Sequence, residues 1–213
     1  MTDFRQLRQR MIDHQLLARG LHDQTVLDAV NAVPREAFVP TELLEFAYND
    51  TPLPIAANQT ISQPYIVALM IAALELKPGE RVLEVGTGSG YAAAILAEIA
   101  AKVYTIERHK ILADTARDKL EALGYDNIRV LHGDGSLGWP EHAPFDAIVV
   151  AAGGPEVPKT LRQQLVIGGR LVIPVGISQR TQTLLRVRRT SEHGYQQEDL
   201  GGCLLYTSPS PRD

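Results

Sequence analysis

A glycine loop, three acids and a polar segment carrying two hydroxyls are the residues of this chain suited to chemistry. The loop lies in "VLEVGTGSG" (residues 82–90), with Gly86, Gly88 and Gly90 alternating with Thr87 and Ser89. Glu84 stands two residues before the first of these glycines, Glu107 closes "KVYTIE", and Asp134 sits with Gly135 in "HGDG". Upstream, "NQTISQPYIVALM" (residues 58–70) holds Gln59, Thr60, Ile61 and Ser62. Its opening is too polar for a core strand.

The acids indicate the ligand. A dinucleotide fingerprint G-x-G-x-x-G needs glycine at 91, where this chain has Tyr91. Three carboxylates around one pocket would repel a pyrophosphate. They suit a cationic ligand rich in hydroxyls, and S-adenosyl-L-methionine has an ammonium, a sulfonium, a ribose diol and an adenine but no phosphate. Glu107 can accept both ribose hydroxyls in charge-assisted bonds, and Asp134 can accept from the adenine amino group. The glycines let backbone approach the methionine part. The expected cofactor set is Glu84, Gly86, Thr87, Gly88, Gly90, Glu107, Arg108, Asp134 and Gly135. Singly, each feature has a plain structural reading, Glu107 as a solvated strand end and "GDG" as a turn. Together, in this order, they favour a methyl-donor site over a nicotinamide dehydrogenase.

The elements that must position these residues are legible from periodicity. "DFRQLRQRMIDHQLL" and "DQTVLDAVNAV" read as helices, the second stopping before Pro34. "PREAFVP" and "NDTPLPIAAN" are loop-like. From Arg81 strands alternate with helices. "RVLEV", "KVYTIE", "IRVLH", "FDAIVVAA", "GGRLVIPVG" and "TQTLLRVRR" read as six strands. Between them "YAAAILAEIAA", "HKILADTARDKLEALG" and "PKTLRQQL" read as helices. The fold class is therefore α/β, a mostly parallel twisted sheet covered by helices on both faces, preceded by a helical extension. Ligands on such sheets bind beyond the carboxyl ends of the strands, at the switch point beside the first one.

The 213 residues suit one domain, and Lys+Arg 21 against Asp+Glu 25 gives a net charge of −4. That balance speaks against a nucleic-acid partner, and "RVRR" (186–189) reads as the end of a surface strand. The start is charged and has no apolar h-region. No apolar run approaches the ~20 residues of a membrane span. A cytoplasmic protein without a membrane partner is expected. The only cysteine is Cys203. It opens "CLLYTSPSPRD", which resembles a translated sequencing adapter, so residues 203–213 are expected to be a non-native tail. Disulfides and cysteine-ligated metals are then excluded. No [DN]-P-P-[YFW] motif follows the fourth strand, where the chain reads "AAGGPEVP" (151–158). That disfavours an exocyclic amine as methyl acceptor.

"TPLPIAANQTISQPYIVALM" followed by "VLEVGTGSGYAAAILA" resembles the protein-L-isoaspartate O-methyltransferases, which are Rossmann-like class I methyltransferases. "VPREAFVP", "AYNDTPLP", "VYTIER", "GDG", "FDAIVVAA" and "GGRLVIPVG" extend the resemblance over about residues 7–201. It implies methyl transfer from S-adenosyl-L-methionine to the carboxylate of L-isoaspartyl residues in damaged proteins and peptides, with S-adenosyl-L-homocysteine as product. The ester closes to a succinimide and reopens partly as normal Asp, which is repair. By the same resemblance Ser62 is the active-site serine, and Gln59, Thr60 and Ile61 line the methyl-donor pocket. Thr60, Ser62 and Pro54 are the expected substrate contacts, with "NDTPLPI" as a wall of the peptide groove. The alternative role for "TISQP" is to cap the helix starting near Pro64, with Ser62 or Thr60 as N-cap.

The expected organisation is one domain over 1–202. Residues 1–57 form a helical extension and substrate loop, and 58–202 a cofactor-binding core. A monomer is expected. The chain departs from the family at Ala56, Ala57 and Asn58, where glycines are usual, although Asn tolerates positive φ. After "EDLG" the adapter-like tail replaces a last strand, so a truncated, less stable sheet is expected. Two readings compete: a same-fold methyltransferase acting on RNA or a small molecule, and a non-catalytic module that only binds the cofactor.

Overall fold

In a computed structural model of the protein, residues 2–178 and 181–203 are described; of Ile177, Ser178, Thr181 and Cys203 only the backbone is considered. The adapter-like tail beyond Cys203 lies outside the described residues.

Helix α1 (Phe4–Met11) starts at Asp3, whose carboxylate accepts from the Gln6 N–H at 3.1 Å. It widens into a π turn over Ile12–Leu16 and tightens over Leu17–Arg19. The residue spacing explains this. Phe4, Leu7, Met11 and Leu16 are separated by three, four and then five positions. A five-residue step leaves the face of an α-helix, and a π turn restores it, so Met11 and Leu16 are both buried. Helix α2 (Gln24–Ala32) is capped by Asp23, which accepts from the Val26 N–H. Two 3-10 turns follow, Arg35–Phe38 and Thr41–Phe46.

Strand β1 (Leu53–Pro54) then pairs antiparallel with β2 (Thr60–Ile61), Pro54 facing Thr60. The polar run thus forms part of a tight hairpin, and Ile61 is buried as its anchor. The hairpin crosses the expected boundary at 57/58, so the substrate segment is built jointly by the extension and the core. Helix α3 (Pro64–Ala73) corrects the capping expectation. Its N-cap is Gln63, without a side-chain cap bond, and Pro64 supplies the first turn.

The main sheet contains β3 (Arg81–Val85), β4 (Lys102–Glu107), β5 (Ile128–His132), β6 (Phe145–Val150), β7 (Leu165–Ser178), β8 (Thr181–Arg189) and β9 (Tyr195–Cys203). Its order among the described residues is β5-β4-β3-β6-β7-β8-β9. The first five positions are parallel, and β7, β8 and β9 form an antiparallel meander. Helices α4 (Tyr91–Ile99), α5 (Lys110–Ala122) and α6 (Lys159–Gln163) complete the crossovers. The switch point lies at β3, whose neighbours β4 and β6 lead to opposite edges.

Two apolar clusters cover the sheet faces. One packs Val82, Val103 and Ala147 beneath α2, α3 and α4; the other packs Leu83, Tyr104, Ile148 and Leu171 with Phe145 and Leu161. The edge differs from expectation. Strand β9 runs through "YQQEDLGGC" and pairs with β8 from Arg189↔Tyr195 to Gln182↔Cys203, so the β8 edge is covered. The run "RVRR" ends β8 as expected, with Arg186 paired to Glu75 and Glu198 and Arg188 to Glu75. No helix among the described residues is long and apolar enough to cross a membrane.

Candidate active site

The chain leaves β3 at Val85 and bends over the end of β4. The Gly86 and Thr87 N–H groups both donate to the Ile106 carbonyl, at 2.8 and 3.3 Å. Gly86 has φ +99, in the left-handed region where a Cβ is strained. Helix α4 begins immediately afterwards at Tyr91.

Glu84 is fully buried beneath this loop. Its register partner on β4 is Thr105, whose hydroxyl donates to Glu84 Oε2 at 2.6 Å. Since Thr105 spends its one proton there, the 2.6 Å contact between Thr87 and Thr105 runs from the Thr87 hydroxyl to Thr105. Glu84 Oε1 is buried with no hydrogen-bond partner. Burial, and secondarily the nearby charge of Glu107, push the Glu84 carboxyl up to about 8, with the Thr105 bond acting the other way. A buried carboxylate with one unused oxygen is costly unless a cationic or donor ligand completes it.

Glu107 ends β4 and bridges two backbones. Its Oε2 accepts from the Gly88 N–H at 2.9 Å and its Oε1 from the His109 N–H at 2.8 Å. Each oxygen keeps a lone pair, so the carboxylate holds the glycine loop in place and still has acceptor capacity. Asp134 accepts from the Ser136 N–H at 2.9 Å and turns the chain after β5. Gly135 presses on β3: a Cβ there would lie 2.3 Å from Val85 Cγ1. This position admits no side chain without displacing the strand that carries Glu84.

One cavity of about 650 Å³ gathers these groups. It is lined by Glu84, Gly86, Thr87, Gly88, Glu107, Arg108, Asp134 and Gly135, and also by Gln59, Thr60, Ile61 and Ser62. Two expected residues lie outside the lining. Gly90 has φ +90 at the N-cap of α4, so its glycine serves the left-handed turn into that helix; a Cβ there would meet Leu120 only at an ordinary 3.4 Å. Pro54 is exposed in β1, behind Thr60. Residues of the site that pattern reading passed over include Tyr91, Ala92, Val67 and Met70, which line the apolar part, and Thr105, the partner of Glu84. Only Thr105 had a signal: its place in register beside an acid.

The residues present fit S-adenosyl-L-methionine. The unused Glu84 oxygen suits an ammonium, the free lone pairs of Glu107 suit a diol, and the apolar wall suits a thioether chain and an adenine ring. The parallel sheet with its switch point at β3, and this cavity beyond the strand ends, define a Rossmann-like S-adenosylmethionine-dependent methyltransferase. Solved structures agree. One named protein-L-isoaspartate O-methyltransferase superposes with a TM-score of 0.85 at 29% identity, over 95% of this chain and 66% of its own. A Plasmodium falciparum protein assigned the same activity, in complex with S-adenosyl-L-homocysteine, gives 0.81 at 27% identity over 97% and 98%.

The family model "Protein-L-isoaspartate(D-aspartate) O-methyltransferase (PCMT)" matches residues 6–208. A Pelobacter propionicus protein-L-isoaspartate O-methyltransferase 2 is 60% identical over 195 residues, covering 92% of this chain and 87% of the relative. The Brucella anthropi enzyme is 55% identical over 205 residues, covering 96% and 94%. The chain belongs to the protein-L-isoaspartate O-methyltransferase family.

Proposed function

We propose that this chain methylates the free carboxylate of L-isoaspartyl residues in peptides and damaged proteins, acting as a cytoplasmic monomer. The observation that carries the reading is one cavity walled by Glu84, Glu107 and Asp134 on one side and Gln59–Ser62 on the other. When bound, S-adenosyl-L-methionine supplies a methyl group on a cationic sulfonium and becomes S-adenosyl-L-homocysteine. Glu84 Oε1 would hold its ammonium, Glu107 its ribose hydroxyls and Asp134 its adenine amino group.

The acceptor needs little activation. A carboxylate with a pKa near 4 is ionised at neutral pH and is its own nucleophile, so no general base is required. Ser62 donates its hydroxyl hydrogen to one carboxylate oxygen and leaves the other in line for attack. A neutral donor orients the carboxylate without quenching it as a full ion pair would. Thr60 lines the same wall, and Ile61 with Val67 helps exclude water. Orientation of this kind supplies up to ~7–11 kcal/mol in favourable cases.

A same-fold enzyme acting on RNA would need an open basic surface. The most basic run, Arg186–Arg189, is instead engaged by Glu75, Glu198 and the carbonyls of Gln163 and Leu165. Labelled methyl transfer to a synthetic isoaspartyl peptide, beside its aspartyl twin, tests the proposal. Label on the isoaspartyl peptide alone is expected; equal labelling of both, or label only on RNA, would refute it.

A further inference from the structure

Arg35 is the largest fully buried side chain among the described residues, and its position is unusual for a cation. No carboxylate lies within ion-pair distance of it among the described residues. Its Nε donates to the Ala47 carbonyl at 2.7 Å, its Nη2 donates to the Ser62 carbonyl at 2.9 Å, and its guanidinium lies 4.8 Å from the Tyr91 ring centroid. Burial holds its pKa below the ordinary arginine value. A buried charge with no carboxylate in contact is expensive, and a Met or Leu would fill the volume more cheaply. What the guanidinium provides is a rigid fork reaching two backbone carbonyls.

The next residue has its own tie to the extension. Gln63 Nε2 donates to Asp50 Oδ2 at 2.7 Å, and Asp50 Oδ1 accepts from the Tyr65 N–H at 3.4 Å. Asp50 is itself anchored by Arg19 at 2.9 Å, whose guanidinium stacks 3.4 Å over the Tyr65 ring. Arg35, Ala47, Asp50 and Arg19 all belong to the N-terminal extension, and neither Arg35 nor Asp50 lines the cavity.

We propose that Arg35 and Asp50 form a clamp on the Ser62–Gln63 peptide, and that both are positioning residues for methyl transfer acting through Ser62. The inference rests on the reading of Ser62 as the donor to the substrate carboxylate. The strands behind Glu84 fix the cofactor half of the cavity. The Ser62 segment is a short turn between a two-residue strand and α3, so its placement depends on side-chain bonds from the extension. A displacement of about 1 Å at such a donor costs on the order of 100-fold in rate.

The test uses the full chain with Arg35→Met, Arg35→Lys, Asp50→Ala, Ser62→Ala and the Arg35→Met/Ser62→Ala double variant. Three readouts are taken: kcat and KM on an isoaspartyl peptide, Kd for S-adenosyl-L-homocysteine, and the thermal midpoint. The clamp predicts that Arg35→Met and Asp50→Ala each lower kcat/KM by about 10- to 100-fold, while Kd stays within about threefold. Arg35→Lys recovers only part, because an ammonium cannot span both carbonyls. On the Ser62→Ala background, Arg35→Met costs less than about threefold, since residues acting as a unit are not additive.

Folded Arg35→Met and Asp50→Ala variants with wild-type kcat/KM, beside a slow Ser62→Ala, would overturn the clamp and leave the Ser62 reading intact. Fully multiplicative losses in the double variant would also overturn it. If Arg35→Met does not fold, Asp50→Ala decides alone. Full turnover in Ser62→Ala would remove the reading beneath the clamp, and the clamp with it.

Discussion

The two halves of the cavity are built differently. The cofactor half stands on the ends of β3, β4 and β5, where in-register strands deliver Glu84, Glu107 and Asp134, and backbone amides hold Glu107. The substrate half centres on Ser62, in a turn held by a two-residue hairpin and by contacts from residues 13 to 27 positions away along the chain. Binding of a constant ligand is assigned to sheet geometry, and orientation of a variable peptide to a supported turn. The comparison predicts that damage to the first half appears in cofactor affinity, and damage at Ser62 in turnover.

The largest effect is expected at Glu84. Glu84→Gln removes the charge that meets the ammonium, and S-adenosyl-L-homocysteine affinity should fall by roughly 2–5 kcal/mol, read by calorimetry. The same variant should be more stable without ligand. The Glu84 carboxyl is raised from 4.5 to about 8, so between those values the folded state binds a proton that the unfolded state has lost, and stability falls as pH rises through that window. Glu84→Gln should therefore gain on the order of a few kcal/mol over the wild type near pH 8 and above, and little at pH 4. Ligand binding near pH 7 should release protons in the wild type and fewer in the variant. Equal proton release in both would detach Glu84 from the ammonium.

Gly135→Ala comes next. The clash with Val85 should cost about 1–3 kcal/mol of stability and weaken cofactor binding, with KM for the peptide nearly unchanged. A silent Gly135→Ala would mean that β3 yields more easily than its packing suggests.

The smallest effect sharpens the other half. Ala57 and Asn58 adopt φ of 57° and 53°, in the left-handed region that favours glycine. An alanine there costs about 1–2 kcal/mol, part of which a glycine would return in backbone entropy. Ala57→Gly should raise stability by about 0.5 kcal/mol and lower kcat slightly by loosening the turn. A loss of stability would show that the left-handed turn is supported by contacts of the Ala57 methyl group.

Much of this division could be read from the residues. Strands β3 to β8 announce themselves as apolar runs, and an acid two residues before a glycine loop is a compact signal. Strand β9 carries no such signal, because "YQQEDLGG" is polar and its pairing is dictated by the exposed edge of β8. Strand β7 extends beyond "GGRLVIPVG" for a similar reason, since its first residue pairs with Phe145. Ser62 was visible through its motif, but its support was not. Arg35 in "PREAF" looks like any loop arginine, and only the folded chain brings its guanidinium to a carbonyl 27 residues away. Neither Ser62 nor Thr60 caps α3, because the helix starts after Gln63, Pro64 has no amide hydrogen, and Asp50 takes the Tyr65 N–H. Long-range side-chain bonds leave no periodicity to read.

The most direct test of the account separates the halves with one substitution, Ser62→Ala. Its kcat/KM on an isoaspartyl peptide should fall by about 2–4 kcal/mol, as for a lost transition-state donor, with its Kd for S-adenosyl-L-homocysteine unchanged. Unchanged turnover, or a loss carried entirely by cofactor affinity, would contradict the division of labour between the two walls of the cavity.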